Sequence, residues 1–285
     1  MFTIQNVERV INNLILMKPL ILALTLPAFF IIYPPDITHV QLYSFADIDV
    51  AIQTTCHRTC TSPVLFINLH DNENTSVEAA TVYLDKTGGS LVQLKHLDLR
   101  NICINLQDQG YTFDPNRIFT PAGVQATLSG FDAYSSEADT LVTRFANTLL
   151  NRYVTGKKLI IALHNNTDSL YSILSYIGSG SEAPNAAEVY INAAMDPDDF
   201  IYTTHKPLFN YLAAQQVNVI LQNEATVFDD GSLSVYAGRN NLPYINVEAE
   251  HGHLEEQLQM LKILSPFIEN LLRETVETKP GEQKD

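Results

Sequence analysis

"PVLFINLHDNENTSVEAA", residues 63–80, decides how this chain is read. The apolar run over 63–69 reads as a buried strand, and the residues from Thr75 to about Leu84 have the spacing of an amphipathic helix. His70 stands where the strand ends, and Glu73 follows three positions later in the turn. A strand that leads through a short polar turn into a helix is the opening unit of an α/β sheet.

Working outward, the same alternation continues. Strands are predicted over 91–99, 102–106, 157–163, 217–222 and 242–250. Helices are predicted over 135–154, with Ser135 or Ser136 as cap, and along the stretch from His253. That last stretch puts Leu254, Leu258, Leu261, Phe267, Ile268 and Leu271 on one stripe. The pattern predicts a single α/β domain over 36–275 with a central mixed, mostly parallel sheet flanked by helices. The tail over 276–285 is expected to be disordered.

In open sheets of this class, binding groups collect at the C-terminal ends of strands. Three strand ends here carry them. The strand over 63–69 ends at His70, that over 157–163 ends at His164, and that over 242–250 carries Glu248 and Glu250. Two ligands close in sequence and a third from a distant strand form a common catalytic metal set, which leaves a coordination position for water. Between them, "YTFDPNRIFT" (111–120) places Asn116 beside Arg117, and a guanidinium fork matches a carboxylate. Asp114 could instead cap a plain turn there, with Arg117 paired to an acid.

His70-x-x-Glu73, Asn116-Arg117, His164 and Glu248, in this order, resemble the zinc carboxypeptidase family over about residues 63–250. The resemblance implies one Zn2+ per chain on His70, Glu73 and His164. It implies Asn116 and Arg117 as the grip on a substrate's terminal carboxylate and Arg100, upstream of that pair, as the oxyanion stabiliser. Glu248 would be the general acid/base, with Glu250, on the same side of the strand, as its competitor. The implied activity is a metallocarboxypeptidase-like hydrolase that cleaves a terminal peptide or amide bond beside a free carboxylate, with cell-wall peptides as a candidate substrate. A more distant resemblance, to the aspartoacylase and succinylglutamate desuccinylase group, makes N-acyl amino acids the alternative substrate. A secreted binding module without turnover is the reading from another class. Asp71-Asn72 and Asn165-Asn166 depart from the family's pattern, and no tyrosine matches its substrate-covering position, Tyr236 and Tyr244 being available.

Composition narrows the partners. The formal net charge is −15 and no basic patch stands out, which does not suit nucleic acid. One lysine followed by an apolar run and two prolines, over 17–35, suits an export signal, with 1–16 as an upstream extension. The expected location is therefore periplasmic or secreted, with membrane contact only through residues 1–35 if that segment is retained as an anchor. Cys56 and Cys60 suit a disulfide or two free thiols better than a metal knuckle with His57, and Cys103 is expected to be buried. His251 and His253 with Glu250 form a rival metal set. The acidic stretches 195–200 and 228–232 read as turns that could also bind calcium or favour a basic group.

Overall fold

Strand β3 (Val64–Asn68) is buried at every position, as a strand covered on both faces requires. In the computed structural model, which describes residues 36–131 and 133–277, it lies in the middle of a nine-stranded sheet. The segment over 1–35, to which export was assigned, and residues 278–285 lie outside the described residues. Parallel to β3 run β4 (Gly89–Lys95) on one side and β7 (Leu159–Asn166) on the other, and β11 (Tyr244–Glu250) runs parallel beside β7. Antiparallel strands finish both margins. β2 (Asp49–His57) pairs with β4, and β1 (Ile37–Ser44) pairs with β2. On the far side, β9 (Phe200–Thr203) runs antiparallel to β11, followed by β10 (Val219–Gln222) and β8 (Ala186–Tyr190). The order is β1-β2-β4-β3-β7-β11-β9-β10-β8, the expected α/β architecture with its parallel strands at the centre.

Each face of the sheet is covered. Helix α1 (Asn74–Thr87) closes over one face with α4 (Lys206–Ala214) and α6 (Leu254–Glu277), burying Leu84, Leu163, Leu212, Val247 and Leu261. On the other face lie α2 (Pro121–Gly130), α3 (Ser136–Leu149) and α5 (Leu233–Arg239). A separate hairpin of β5 (Ile102–Leu106) and β6 (Gln109–Phe113) joins them. Phe145 is fully buried there between Tyr43, Phe45 and Phe113, with ring centroids 4.7, 5.3 and 6.4 Å away. Each such ring pair adds about 0.5–1.5 kcal/mol beyond the area it buries. Among the described residues no helix is long and apolar enough to cross a membrane.

Several boundaries differ from expectation. The strand predicted over 91–99 stops at Lys95, because the Asp71 carboxylate accepts the backbone N–H groups of His96 and Asp98 and turns the chain. Leu97 and Asp98 there adopt φ values of 71° and 55°. The helix expected over 135–154 is α-helical to Leu149, with Ser135 as its cap, and ends in a π turn over Leu150–Val154. Val276 and Glu277, placed in the expected tail, close α6. Cys103 is exposed rather than buried, since β5 alternates and its even-numbered residues face the core. Cys56 and Cys60 form a disulfide.

Candidate metal and substrate site

The chain leaves β3 through α1 to β4 on one side, while β7 lies on the other side of β3. That reversal opens a crevice beyond the C-terminal ends of the central strands. His70 lies just past β3, His164 sits in β7 and Glu248 in β11, where Glu248 is the cross-strand partner of His164. Glu73 is the residue that starts α1, but its side chain makes no capping bond. It turns instead toward the two histidines.

There the geometry is tight. His70 Nδ1 lies 2.8 Å from Glu73 Oε1 and 3.2 Å from His164 Nδ1, and His164 Nδ1 lies 2.9 Å from Glu73 Oε2. Ligand atoms about 2.0–2.1 Å from one tetrahedral zinc would stand about 3.3 Å apart, close to the separations found. All three residues are buried. Two ring nitrogens and a carboxylate that converge on one point, away from solvent, suit a divalent cation.

A further carboxylate stands behind this set. His70 Nε2 lies 2.7 Å from Asp114 Oδ1, which fixes the ring with Nδ1 toward the centre. Arg100 Nη1 donates to Glu73 Oε1 at 2.7 Å, and its Nη2 lies 3.6 Å from Asp114 Oδ2. Burial opposes a charged His70, yet Glu73 and Asp114 outweigh it and raise the imidazole to about 9. Burial likewise pushes the Glu73 carboxyl up, but His70 and His164 hold it well below the ordinary carboxylate range. The cluster thus attracts positive charge strongly.

The two asparagines after His164 and the acid after His70 have structural work that explains their presence. Asn165 Oδ1 accepts from the backbone of Ser76 at 2.8 Å, and its amide donates to Ala249 O and Gln257 Oε1. Gln257 in turn donates to the carbonyls of His164 and Val247, tying β7, β11 and α6 together. Asp71 pins the turn after β3 to the loop after β4 and pairs with Lys95.

All seven residues singled out from the sequence (His70, Glu73, Arg100, Asn116, Arg117, His164 and Glu248) line a single cavity of about 1200 Å³. Burial pushes the Glu248 carboxyl above its ordinary value; His164 opposes this and Glu73 adds to it. Its Oε1 accepts from Asn246 at 2.9 Å. Glu250 does not line the cavity; its carboxylate lies 3.5 Å from His253 Nε2. Asn116 Oδ1 accepts from Leu233 N, while its amide nitrogen lies 3.5 Å from His164 Nε2. Arg117 faces Asp230, 3.4 Å away. The turn reading of this segment holds as well, since Asp114 Oδ1 accepts Asn116 N at 2.7 Å.

The Arg117 backbone is held by a close approach. A Cβ added to Gly231, whose φ is 78°, would stand 2.3 Å from Arg117 O and 2.5 Å from Gly123 Cα. Only glycine fits at both Gly123 and Gly231. Sequence reasoning missed Asp114 as a partner of His70, and of the four tyrosines that follow it singled out Tyr244 alone. Tyr171, Tyr176, Tyr202 and Tyr244 all line the cavity, with the hydroxyls of Tyr171 and Tyr176 hydrogen-bonded. Burial raises the Tyr171 hydroxyl well above its ordinary value, and the neighbouring Tyr176 and Glu248 add to this, so it stays protonated. Tyr236 is not a lining residue.

In the rival set, the buried Asp199 takes His253 Nδ1 at 3.0 Å, and among the described residues His251 joins no group that could hold an ion. Asp196, Glu250 and His253 do approach one another closely enough to be counted as such a group. The acidic stretches show turn chemistry. Asp196 accepts Asp198 N, and Asp229 accepts Thr120 Oγ1 and Gly231 N.

No protein-family model matches the sequence, and no curated protein matches it. Solved structures do align with it over most of its length. The murein-tripeptide amidase of Escherichia coli O157 aligns at 16% identity over 89% of this chain and 95% of its own, with a TM-score of 0.42. Thrombin activatable fibrinolysis inhibitor aligns at 10% identity over 84% of this chain and 72% of its own, with a TM-score of 0.46. An aspartoacylase family protein from Mesorhizobium loti MAFF303099 aligns at 13% identity over 81% of this chain and 67% of its own, with a TM-score of 0.42. At these scores the likeness transfers no chemistry, so the chain is similar to these three in backbone course alone.

Proposed function

We propose that the chain is a zinc-dependent hydrolase that cleaves a terminal peptide or amide bond next to a free carboxylate. The observation that supports it most is the His70–Glu73–His164 triangle, with its three separations of 2.8, 2.9 and 3.2 Å, opening on a cavity that also holds Glu248 and Arg117. A divalent ion held by that triangle would supply Lewis acidity and a water of lowered pKa. Glu248, buried and with its carboxyl pushed up, takes a proton from the attacking water and returns it to the leaving nitrogen. Arg117 and the Asn116 amide hold the substrate's carboxylate, so the bond to be cut lies between them and Glu248.

Arg100 has a role set by its partners. Its guanidinium stays on Glu73 while the half-exposed remainder faces the cavity, so it can accept negative charge that develops beside Glu73. The cavity's volume of about 1200 Å³ exceeds what a small N-acyl amino acid needs and favours a peptide, including the cell-wall peptides considered above.

The test is metal content by mass spectrometry of the full chain, purified without chelator or nickel, beside His70→Ala and His164→Ala. One zinc in the parent that is lost in both variants, together with release of a C-terminal residue from short peptides, is expected. Zinc retained by both variants would overturn the proposed ligand set. Release that is equally fast in Glu248→Gln would overturn the role of that carboxylate.

A further inference from the structure

A second pair of potential ligands lies on the opposite flank of the sheet, at the outer end of β2. Cys56 is the last residue but one of β2 and Cys60 follows in the turn, a Cys-x-x-x-Cys spacing within the range of thiolate pairs that hold zinc. In sequence His57 stands between them, yet strand alternation sends its ring to the other face. There His57 Nδ1 contacts Asp85 at 2.7 Å and Asp36 at 3.0 Å. The imidazole that does reach the cysteines is His39 of edge strand β1.

The register explains this. His39 pairs with Thr54, and Thr54 and Cys56 point to the same face of β2. A diagonal neighbour across an antiparallel pair lies within reach of a long side chain. A ring nitrogen of His39 and the sulfurs of Cys56 and Cys60 accordingly lie within 4.8 Å of one another. These three residues also line one cavity of about 470 Å³, which has Arg152 and Lys157 in its wall.

We infer that His39, Cys56 and Cys60 form a second cation site, gated by the disulfide and selective for a thiophilic first-row ion such as Zn2+. In the oxidised chain both sulfurs are committed to each other. A dithiol reductant breaks the S–S bond, gives up two electrons and two protons, and becomes a disulfide itself. Binding of the divalent ion then releases the two thiol protons to solvent and forms two metal–sulfur bonds, with His39 as the third ligand and the cavity open for a fourth. β2 is held in register on both sides at Cys56, and the bridge from Arg58 to Gly89 ties the chain two residues before Cys60, so the two cysteines stay close in the fold after reduction.

The experiment uses the full chain carrying His70→Ala, His164→Ala and Cys103→Ser, which removes two of the three proposed catalytic ligands and the remaining thiol. After reduction under anaerobic conditions it is titrated with Co2+ and read by absorption. One equivalent of Co2+ with a thiolate-to-cobalt charge-transfer band is expected. The band should be absent before reduction and absent when Cys56→Ser is added. His39→Ala, at an exposed edge position, should weaken Co2+ binding at least tenfold, with circular dichroism unchanged. No band in the reduced protein, an equal band in the oxidised protein, or unchanged affinity in His39→Ala would each overturn the inference.

Discussion

Asp114 offers the sharpest test of how the proposed metal site is held. Its Oδ1 contacts His70 Nε2 at 2.7 Å and accepts Asn116 N at 2.7 Å, so one atom orients a candidate ligand and shapes the loop before Arg117. Removing a carboxylate that orients a metal-bound histidine lowers metal affinity about 10- to 100-fold, or about 1.4–2.7 kcal/mol. Asp114→Ala loses both contacts and the negative charge that balances Arg100, so it is expected at the upper end. Asp114→Asn keeps an oxygen able to accept both N–H groups and loses only charge, so a loss of about tenfold is expected. Competition for Zn2+ against a chromogenic chelator at neutral pH measures both, with circular dichroism to confirm the fold. Unchanged zinc affinity in Asp114→Ala would refute the reasoning, because it would show that the His70 ring is fixed without this partner.

Other outcomes follow from the same contacts. Glu248→Gln should bind zinc like the parent while turnover falls by about 10²- to 10⁴-fold, the usual contribution of a positioned acid/base, as peptide-release kinetics will show. Gly231→Ala forces a Cβ to 2.3 Å from Arg117 O at a φ of 78°. Such a change destabilises by more than the roughly 1 kcal/mol gained where the backbone is compatible, so thermal unfolding should show a lower midpoint and substrate KM should rise. Phe145→Ala should cost about 3–5 kcal/mol in denaturant unfolding, since the ring is fully buried. For pH, burial pushes the Asp229 carboxyl up, but Thr120 and Arg239 outweigh it and hold it below its ordinary value. A depressed carboxyl stabilises the fold above its unfolded pKa, and that contribution is lost as pH falls through the folded value. Asp229→Asn should therefore lower the melting midpoint near neutrality and flatten its fall at acid pH, by calorimetry.

What the sequence disclosed and what it concealed have separate physical origins. His70 and His164 are legible because buried parallel strands read as apolar runs, and the polar residue at the end of each run must face the crevice, while Glu73 follows in the turn and Glu248 stands near the end of its strand. The burial expected of Cys103 fails because an apolar stretch need not be buried on both sides, and β5 covers the core with one face only. Strand β2 was missed although Val50, Ile52, Thr54 and Cys56 alternate, a period-two signal that was available. Tyr171 and Tyr176 lie in the irregular connection between β7 and β8, where no periodicity marks direction, so only the folded chain shows that they face the cavity. Arg100 was legible as an arginine at the right distance, but its bond to Glu73 depends on how the loop after β4 turns. That turn is set by Asp71, a residue read only as a departure from pattern.

Strand order has a consequence for when the crevice comes into being. β3, β7 and β11 are adjacent in the sheet but lie at residues 64–68, 159–166 and 244–250, so the last of them is inserted between strands made earlier, β7 and β9. Pairings between such distant segments form slowly, after local structure. During synthesis, a nascent chain that has extruded both histidines still lacks Glu248 and the strand that walls the crevice. The two histidines and Glu73 can therefore come together before the proposed acid/base, Glu248, has been made.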